Sequence, residues 1–179
     1  MSMTENARSD RGLWTKALVI VPAIVVLGFL AGVVSNSGFA NGWYADLVKP
    51  AFQPPGWAFG VMWTTLYTML GIALAAILDQ PPSKLRRDAL WLFGGQLLLN
   101  FAWSPIFFGL HMIDVALVVI VVMLLMAAVT ANYFRRLRPV AGWLMLPYLL
   151  WLCVATALNY ETGKLNLGAD AAPLGLTRS

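Results

Sequence analysis

VALVVIVVMLLMAAVTANYF, residues 115–134, runs for twenty positions without a charged side chain. It is apolar all round, with only Thr130 and Asn132 interrupting it near the end. A helix needs about 20 such residues to cross the hydrocarbon core of a bilayer. A strand of a membrane barrel would alternate polar and apolar residues over about ten positions. This stretch does not alternate, so it reads as a transmembrane helix with much of its surface in lipid.

Four more stretches match it. Residues 17–34, 57–78, 89–110 and 140–159 also lack Asp, Glu, Lys, Arg and His, and their lengths are 18, 22, 22 and 20 residues. The whole chain of 179 residues is 60% hydrophobic and 11% charged. A soluble domain is nearer 45–50% apolar and about 25% charged. Helices and closed barrels are the structures that satisfy the backbone inside lipid. The expected fold is therefore an all-α integral membrane protein of five transmembrane helices. The 18-residue core of 17–34 exceeds the about 7–15 of a signal peptide, so it reads as an uncleaved first span.

Charge gives the expected sidedness. The exposed stretches alternate between basic and nearly neutral. Arg8, Arg11, Lys16, Lys84, Arg86, Arg87, Arg135, Arg136 and Arg138 fall on one side, with Lys49, Lys164 and Arg178 on the other. Basic residues mark the cytoplasmic face, which puts the N-terminus inside and the C-terminus outside. No further basic patch exists to serve nucleic acid.

The connectors are unequal. Residues 111–114 and 135–139 are tight turns, and 79–88 is only slightly longer. Residues 35–56 are the outlier, and contain WYADLVKPAFQPPGW at 43–57. Pro50, Pro54 and Pro55 stiffen this loop, and its aromatic content argues against disorder. It reads as a folded lid on the outer face.

Polar side chains at bilayer depth turn towards a partner or a cavity. Thr64, Thr65, Thr68, Gln96, Asn100, Ser104, Thr156 and Asn159 therefore assign the interior to spans 2, 3 and 5. Helical spacing aligns Phe59, Trp63 and Tyr67 on one face; Gln96, Asn100, Trp103 and Phe107 on a second; and Tyr148, Trp151, Ala155 and Leu158 on a third. Flat aromatic surface with a few hydrogen-bonding groups suits a flat, mostly apolar ligand. Periodicity alone serves a helix-packing seam equally well. Trp57, Trp91 and Trp143, near span ends, read as interfacial belt residues. Gly28 with Gly32, and Gly71 with Ala75, allow close helix approach within the bundle or in a dimer.

Several chemistries are excluded. No acidic or basic residue lies within a span, which argues against a proton relay. His111, the single histidine, lies in a turn, and no Cys/His cluster suits a metal. Cys153 is alone and reads as a small buried hydrophobe.

Three blocks carry a further resemblance: WYADLVKPAFQPPGWAFGVMWTTLY (43–67), QLLLNFAWSPIFFG (96–109) and LPYLLWLCVATALNYE (146–161). They resemble the TspO/MBR family of tryptophan-rich sensory and translocator proteins, in register from about residue 17 to residue 164. The resemblance implies a head at 1–16, a membrane domain at 17–164 with its lid at 35–56, and a flexible tail at 165–179. It implies a bundle that forms a homodimer, with the first loop closing a pocket for protoporphyrin IX or haem and no cofactor required. Sterol and aromatic drug-like ligands are the implied alternatives in eukaryotic members. By motif the pocket would hold Tyr44, Pro54, Phe59, Trp63, Tyr67, Asn100, Phe107, Trp151, Ala155 and Leu158.

The implied role is porphyrin transport, handling or stress sensing in a bacterial cell membrane. Light-dependent porphyrin breakdown at Trp63 and Trp151 is the enzymatic alternative. A regulatory interaction protein is the other. A sterol motif has a formal counterpart in Leu158, Tyr160 and Lys164, a pattern that matches by chance often.

Overall fold

A computed structural model describes the backbone of residues 3–177 and the side chains of residues 12–177. The side chains of Arg8, Arg11 and Arg178, which entered the charge reading, lie outside the described residues. The chain forms α1 (Met3–Val34), α2 (Gly42–Asp46), α3 (Gly56–Leu78), α4 (Lys84–Ser104), a π-helical turn (Pro105–Gly109), α5 (Ile113–Leu137), α6 (Pro139–Leu144) and α7 (Leu146–Leu165). No strand occurs among the described residues. Five stretches are long and apolar enough to cross a membrane: Gly12–Val34, Gly56–Leu78, Lys84–Gly109, Ile113–Leu137 and Pro139–Leu165. Most outrun the charge-free sequence runs because flanking polar and charged residues continue the helices.

The helices close a ring. α1 packs on α3, α3 on α6 and α7, α7 on α5, α5 on α4, and α4 returns to α1. Glycine sets the α1–α3 spacing. A Cβ on Gly28 would lie 2.1 Å from Cε2 of Tyr67, and one on Gly71 would lie 2.9 Å from Cα of Val21. Lipid offers no hydrophobic drive to associate, so such close backbone approach is what dispersion and packing need. Gly28 and Gly71 therefore work inside the bundle, while a Cβ on Gly32 would meet nothing within 4 Å.

The end of the bundle carrying Lys16, Lys84 and Arg86 is pinned by charge. Lys16 Nζ lies 2.7 Å from Asp79 Oδ1, joining α1 to the end of α3. Arg86 donates from Nε to the Ile77 carbonyl at 3.1 Å and from Nη2 to the Leu78 carbonyl at 3.0 Å. Those carbonyls belong to the last turn of α3, where intrahelical donors run out.

Several sequence expectations change. Residues 115–134 do keep a lipid-facing side in Val118, Val121, Val122, Leu125 and Val129, but the opposite face of α5 buries Ala116, Ile120, Met123, Ala127, Ala131 and Phe134. Its alanines admit close neighbours, and hydropathy does not distinguish a helix partner from a lipid tail. The first span is the more exposed, with Leu18, Val19, Phe29 and Val34 at its surface. Cys153, expected to be buried, is exposed, because two helical steps turn it about 200° away from buried Trp151.

Of the threonines of α3, Thr64 lines the interior cavity while Thr65 and Thr68 do not. Thr64, Thr65 and Thr68 each donate to the carbonyl four residues back, at 2.8, 2.9 and 2.8 Å, which satisfies a hydroxyl anywhere on a helix. The fifth span is not continuous. It breaks at Met145 between α6 and α7, with Pro147 in the first turn of α7; proline has no N–H to extend the ladder.

The segment after α7, expected to be flexible, folds back onto the start of α5. Asp170 accepts from the Ile113 N–H at 3.1 Å (Oδ1) and from the Asp114 N–H at 2.9 Å (Oδ2). Buried Asp114 in turn accepts from the N–H groups of Leu174 and Leu176, at 2.8 and 3.2 Å, and from the Thr177 hydroxyl at 3.1 Å. Both carboxylates sit at a helix N-terminus, whose exposed N–H groups and dipole favour an anion.

Candidate ligand-binding site

The lid is built around α2. Asn41 caps it, accepting the Tyr44 N–H at 3.1 Å through Oδ1, and its Nδ2 donates to the Phe108 carbonyl at 3.1 Å. Lys49 folds over the other end of α2, donating to the carbonyls of Tyr44, Ala45 and Leu47. Its ammonium also lies 4.4 Å from the Tyr44 ring centroid. Trp43 stacks on His111 at 4.3 Å and meets Phe107 edge-on at 5.6 Å. Tyr44 points inward, its hydroxyl bonded to Gln53 Oε1 at 3.2 Å. Burial raises its pKa above the ordinary tyrosine value, and that hydrogen bond opposes the shift.

The C-terminal segment ties the lid down. Asn166 donates from Nδ2 to the Val48 carbonyl at 2.9 Å and accepts the Val48 N–H at 2.8 Å. Trp43 Nε1 donates to the Ala169 carbonyl at 3.3 Å.

Beneath the lid lies a cavity of about 1020 Å³. Tyr44, Phe59, Trp63, Tyr67, Asn100, Phe107, Trp151, Ala155 and Leu158 all line it. Of the residues singled out by motif, Pro54 does not; its neighbour Gln53 lines the wall instead. The aromatics interlock: Trp63 stacks on Tyr67 at 5.2 Å and meets Trp151 at 6.5 Å with planes at 90°, while Phe59 meets Trp151 at 5.7 Å. The π-helical turn after α4 turns adjacent Phe107 and Phe108 inward together. Its wide register closes with the Leu110 N–H donating to the Pro105 carbonyl at 2.9 Å. An α-helix would put successive side chains about 100° apart.

A hydrogen-bonded chain crosses the core beside the cavity floor. Tyr67 Oη donates to Asn100 Oδ1 at 2.7 Å, Asn100 Nδ2 donates to Tyr148 Oη at 3.1 Å, and Tyr148 Oη donates to Gln96 Oε1 at 2.7 Å. Among the described residues, two buried donors remain without a protein partner, Gln96 Nε2 and Trp151 Nε1. Buried polar groups are paired with few exceptions. Trp151 lines the cavity and is 8% exposed overall, but its Nε1 is itself buried.

Some of the lining was not anticipated. α1 supplies Val25, Gly28, Phe29 and Gly32, and α5 supplies Ile120 and Met123. The Gly28/Gly32 pair was the visible signal for the α1 wall; nothing distinguished Ile120 and Met123 from lipid-facing residues. Trp103 also lines the cavity and donates from Nε1 to Asn159 Oδ1 at 3.2 Å. The three residues of the sterol pattern do not share a surface. Leu158 faces the cavity while Tyr160 is exposed. Lys164 turns back, 5.7 Å from the Tyr160 ring and 3.6 Å from Glu161.

Fold and site define a multi-pass membrane protein with a lidded aromatic cavity between its five spans. The TspO/MBR family model matches residues 19–165, and the chain belongs to that family. It is 40% identical to a tryptophan-rich sensory protein of Cereibacter sphaeroides, over 69% of this chain and 77% of the relative. It is 36% identical to the human translocator protein over 82% and 93%. With the tryptophan-rich protein TspO of Chlorobaculum tepidum it shares 37% identity over 88% and 99%.

Proposed function

We propose that this protein binds a tetrapyrrole, protoporphyrin IX above all, in the cavity beneath its lid, and acts in porphyrin handling, transport or sensing. The cavity itself carries the reading. Its volume of about 1020 Å³ stands at the upper end of the ~300–1,000 Å³ typical of small-molecule sites. Its walls offer flat rings from Trp63, Tyr67, Phe107 and Trp151. Each stacked aromatic contributes about 0.5–1.5 kcal/mol beyond buried area. The relatives' names, sensory and translocator proteins, are consistent with either use of such a site.

Filling the cavity tests this. Ala155 lines it with a small side chain, so Ala155→Trp should abolish saturable protoporphyrin binding in detergent while leaving helicity intact. Undiminished binding in a folded Ala155→Trp protein would place the porphyrin elsewhere.

The perpendicular contact of Trp63 and Trp151 favours a second reading, photochemical breakdown. An excited macrocycle takes an electron from an adjacent indole, and net oxidation then requires dioxygen as the terminal oxidant. Mass spectrometry after illumination decides: unchanged porphyrin eliminates this activity.

A further inference from the structure

At the opposite end of the bundle, an open groove of about 790 Å³ runs along the start of α4, lined by Pro82, Ser83, Lys84, Arg86, Arg87, Leu90, Trp91 and Gly94. Its charge is unbalanced. Three basic side chains meet one carboxylate, Asp88, which lies 2.6 Å from Lys84 Nζ and 3.7 Å from Arg87 Nε. Arg86 is committed to the carbonyls closing α3. Lys84 and Arg87 keep 80% and 67% of their side chains exposed, leaving room for a second anion.

The groove continues into the membrane. Lys84, Arg87, Trp91, Gly94 and Leu98 follow heptad-like spacing on one helix face, inside the apolar span Lys84–Gly109. Trp91 is 77% and Leu98 69% exposed, and a Cβ on Gly94 would touch nothing within 4 Å. A charged head, an aromatic at the interface and an open apolar track together match a lipid rather than a soluble anion.

We propose that this groove binds an anionic phospholipid, its phosphate between Lys84 and Arg87 and an acyl chain laid past Trp91 over Gly94. Basic clusters at one membrane face recognise such headgroups, and interfacial tryptophan anchors the depth. The site is independent of the cavity ligand.

Brominated lipids quench a tryptophan that they touch. The full-length protein is placed in phosphatidylcholine vesicles containing either brominated phosphatidylglycerol or brominated phosphatidylcholine at equal mole fraction. Excess quenching by the phosphatidylglycerol is expected. The excess should vanish in Trp91→Phe, persist in the charge-conserving Lys84→Arg/Arg87→Lys variant, and fall about tenfold in apparent affinity in Lys84→Gln/Arg87→Gln. Lys84→Gln alone carries the test if the double variant loses helicity. Equal quenching by the two lipids, or a preference that survives the glutamine substitutions, overturns the proposal. Loss of the preference on adding inorganic phosphate at constant ionic strength would assign the groove to a free anion, and overturns the lipid.

Discussion

The Tyr67 hydroxyl donates to Asn100 Oδ1 at 2.7 Å, joining α3 to α4 beside the cavity floor. Asn100 also donates to Tyr148 on α7, so one amide ties three helices. Replacing it by alanine leaves the Tyr67 hydroxyl without its acceptor, while Tyr148 keeps its bond to Gln96. Polar contacts between membrane helices are worth about 0.6–1.7 kcal/mol each. Asn100→Ala should therefore destabilise the protein by about 1–3 kcal/mol in a detergent unfolding assay. Unchanged stability would mean that the chain contributes orientation alone.

Gly28 and Gly32 should behave oppositely although they occupy one helix face. A methyl at Gly28 collides with the Tyr67 ring, whereas one at Gly32 meets nothing within 4 Å. Overpacking costs about 1–3 kcal/mol, so Gly28→Ala should lower the melting temperature and disturb Tyr67. Gly32→Ala should be neutral or stabilising, since alanine is the better helix former. Equal effects of the two in thermal melts would contradict the packing of α1 on α3.

The C-terminal strap restrains the lid through Asn166 and Trp43. Asn166→Ala removes both hydrogen bonds to Val48 from a surface position and leaves the cavity lining untouched. Porphyrin dissociation, followed by stopped flow, should accelerate several-fold with little change in melting temperature. An unchanged off-rate would make the strap a passive ornament of the fold.

Among the described side chains, Lys16, Lys84, Arg86, Arg87, Arg135, Arg136 and Arg138 gather at the end away from the lid, leaving Lys49 and Lys164 beside it. The positive-inside rule predicts from this that the lid faces outward. In a Cys153→Ala background, Leu174→Cys should react with a membrane-impermeant maleimide in intact bacterial cells, and Lys84→Cys only after permeabilisation. The reverse pattern would invert the topology.

The five spans and the three aromatic stripes were legible because lipid imposes a length and a helix imposes a period. What buries a given helix was not. The residues of α5 look like lipid-facing residues, yet Ala116, Ala127 and Ala131 are packed against neighbours. Only the three-dimensional partners distinguish the two environments. Among the α3 hydroxyls Thr64 does line the cavity, but Thr65 and Thr68 do not, for a related reason: a threonine satisfies itself on its own helix, whereas Asn100 and Trp103 have no such option and did point inward. The π-helical turn after Pro105, which carries Phe107 and Phe108, has no sequence period to read. The tail was also opaque. Asp114 and Asp170 lie far apart in sequence, and the bonds that tie the tail to the start of α5 are visible only once α5 and α7 are side by side.

The most direct test of the central claim is a titration with protoporphyrin IX in the dark, read by tryptophan fluorescence, on the wild type and on Trp63→Phe/Trp151→Phe. The cavity account predicts saturable quenching in the wild type, weaker in both amplitude and affinity in the double variant. Equal, unsaturable quenching in both would mean that porphyrin partitions into the detergent, and would contradict a ligand held between Trp63 and Trp151.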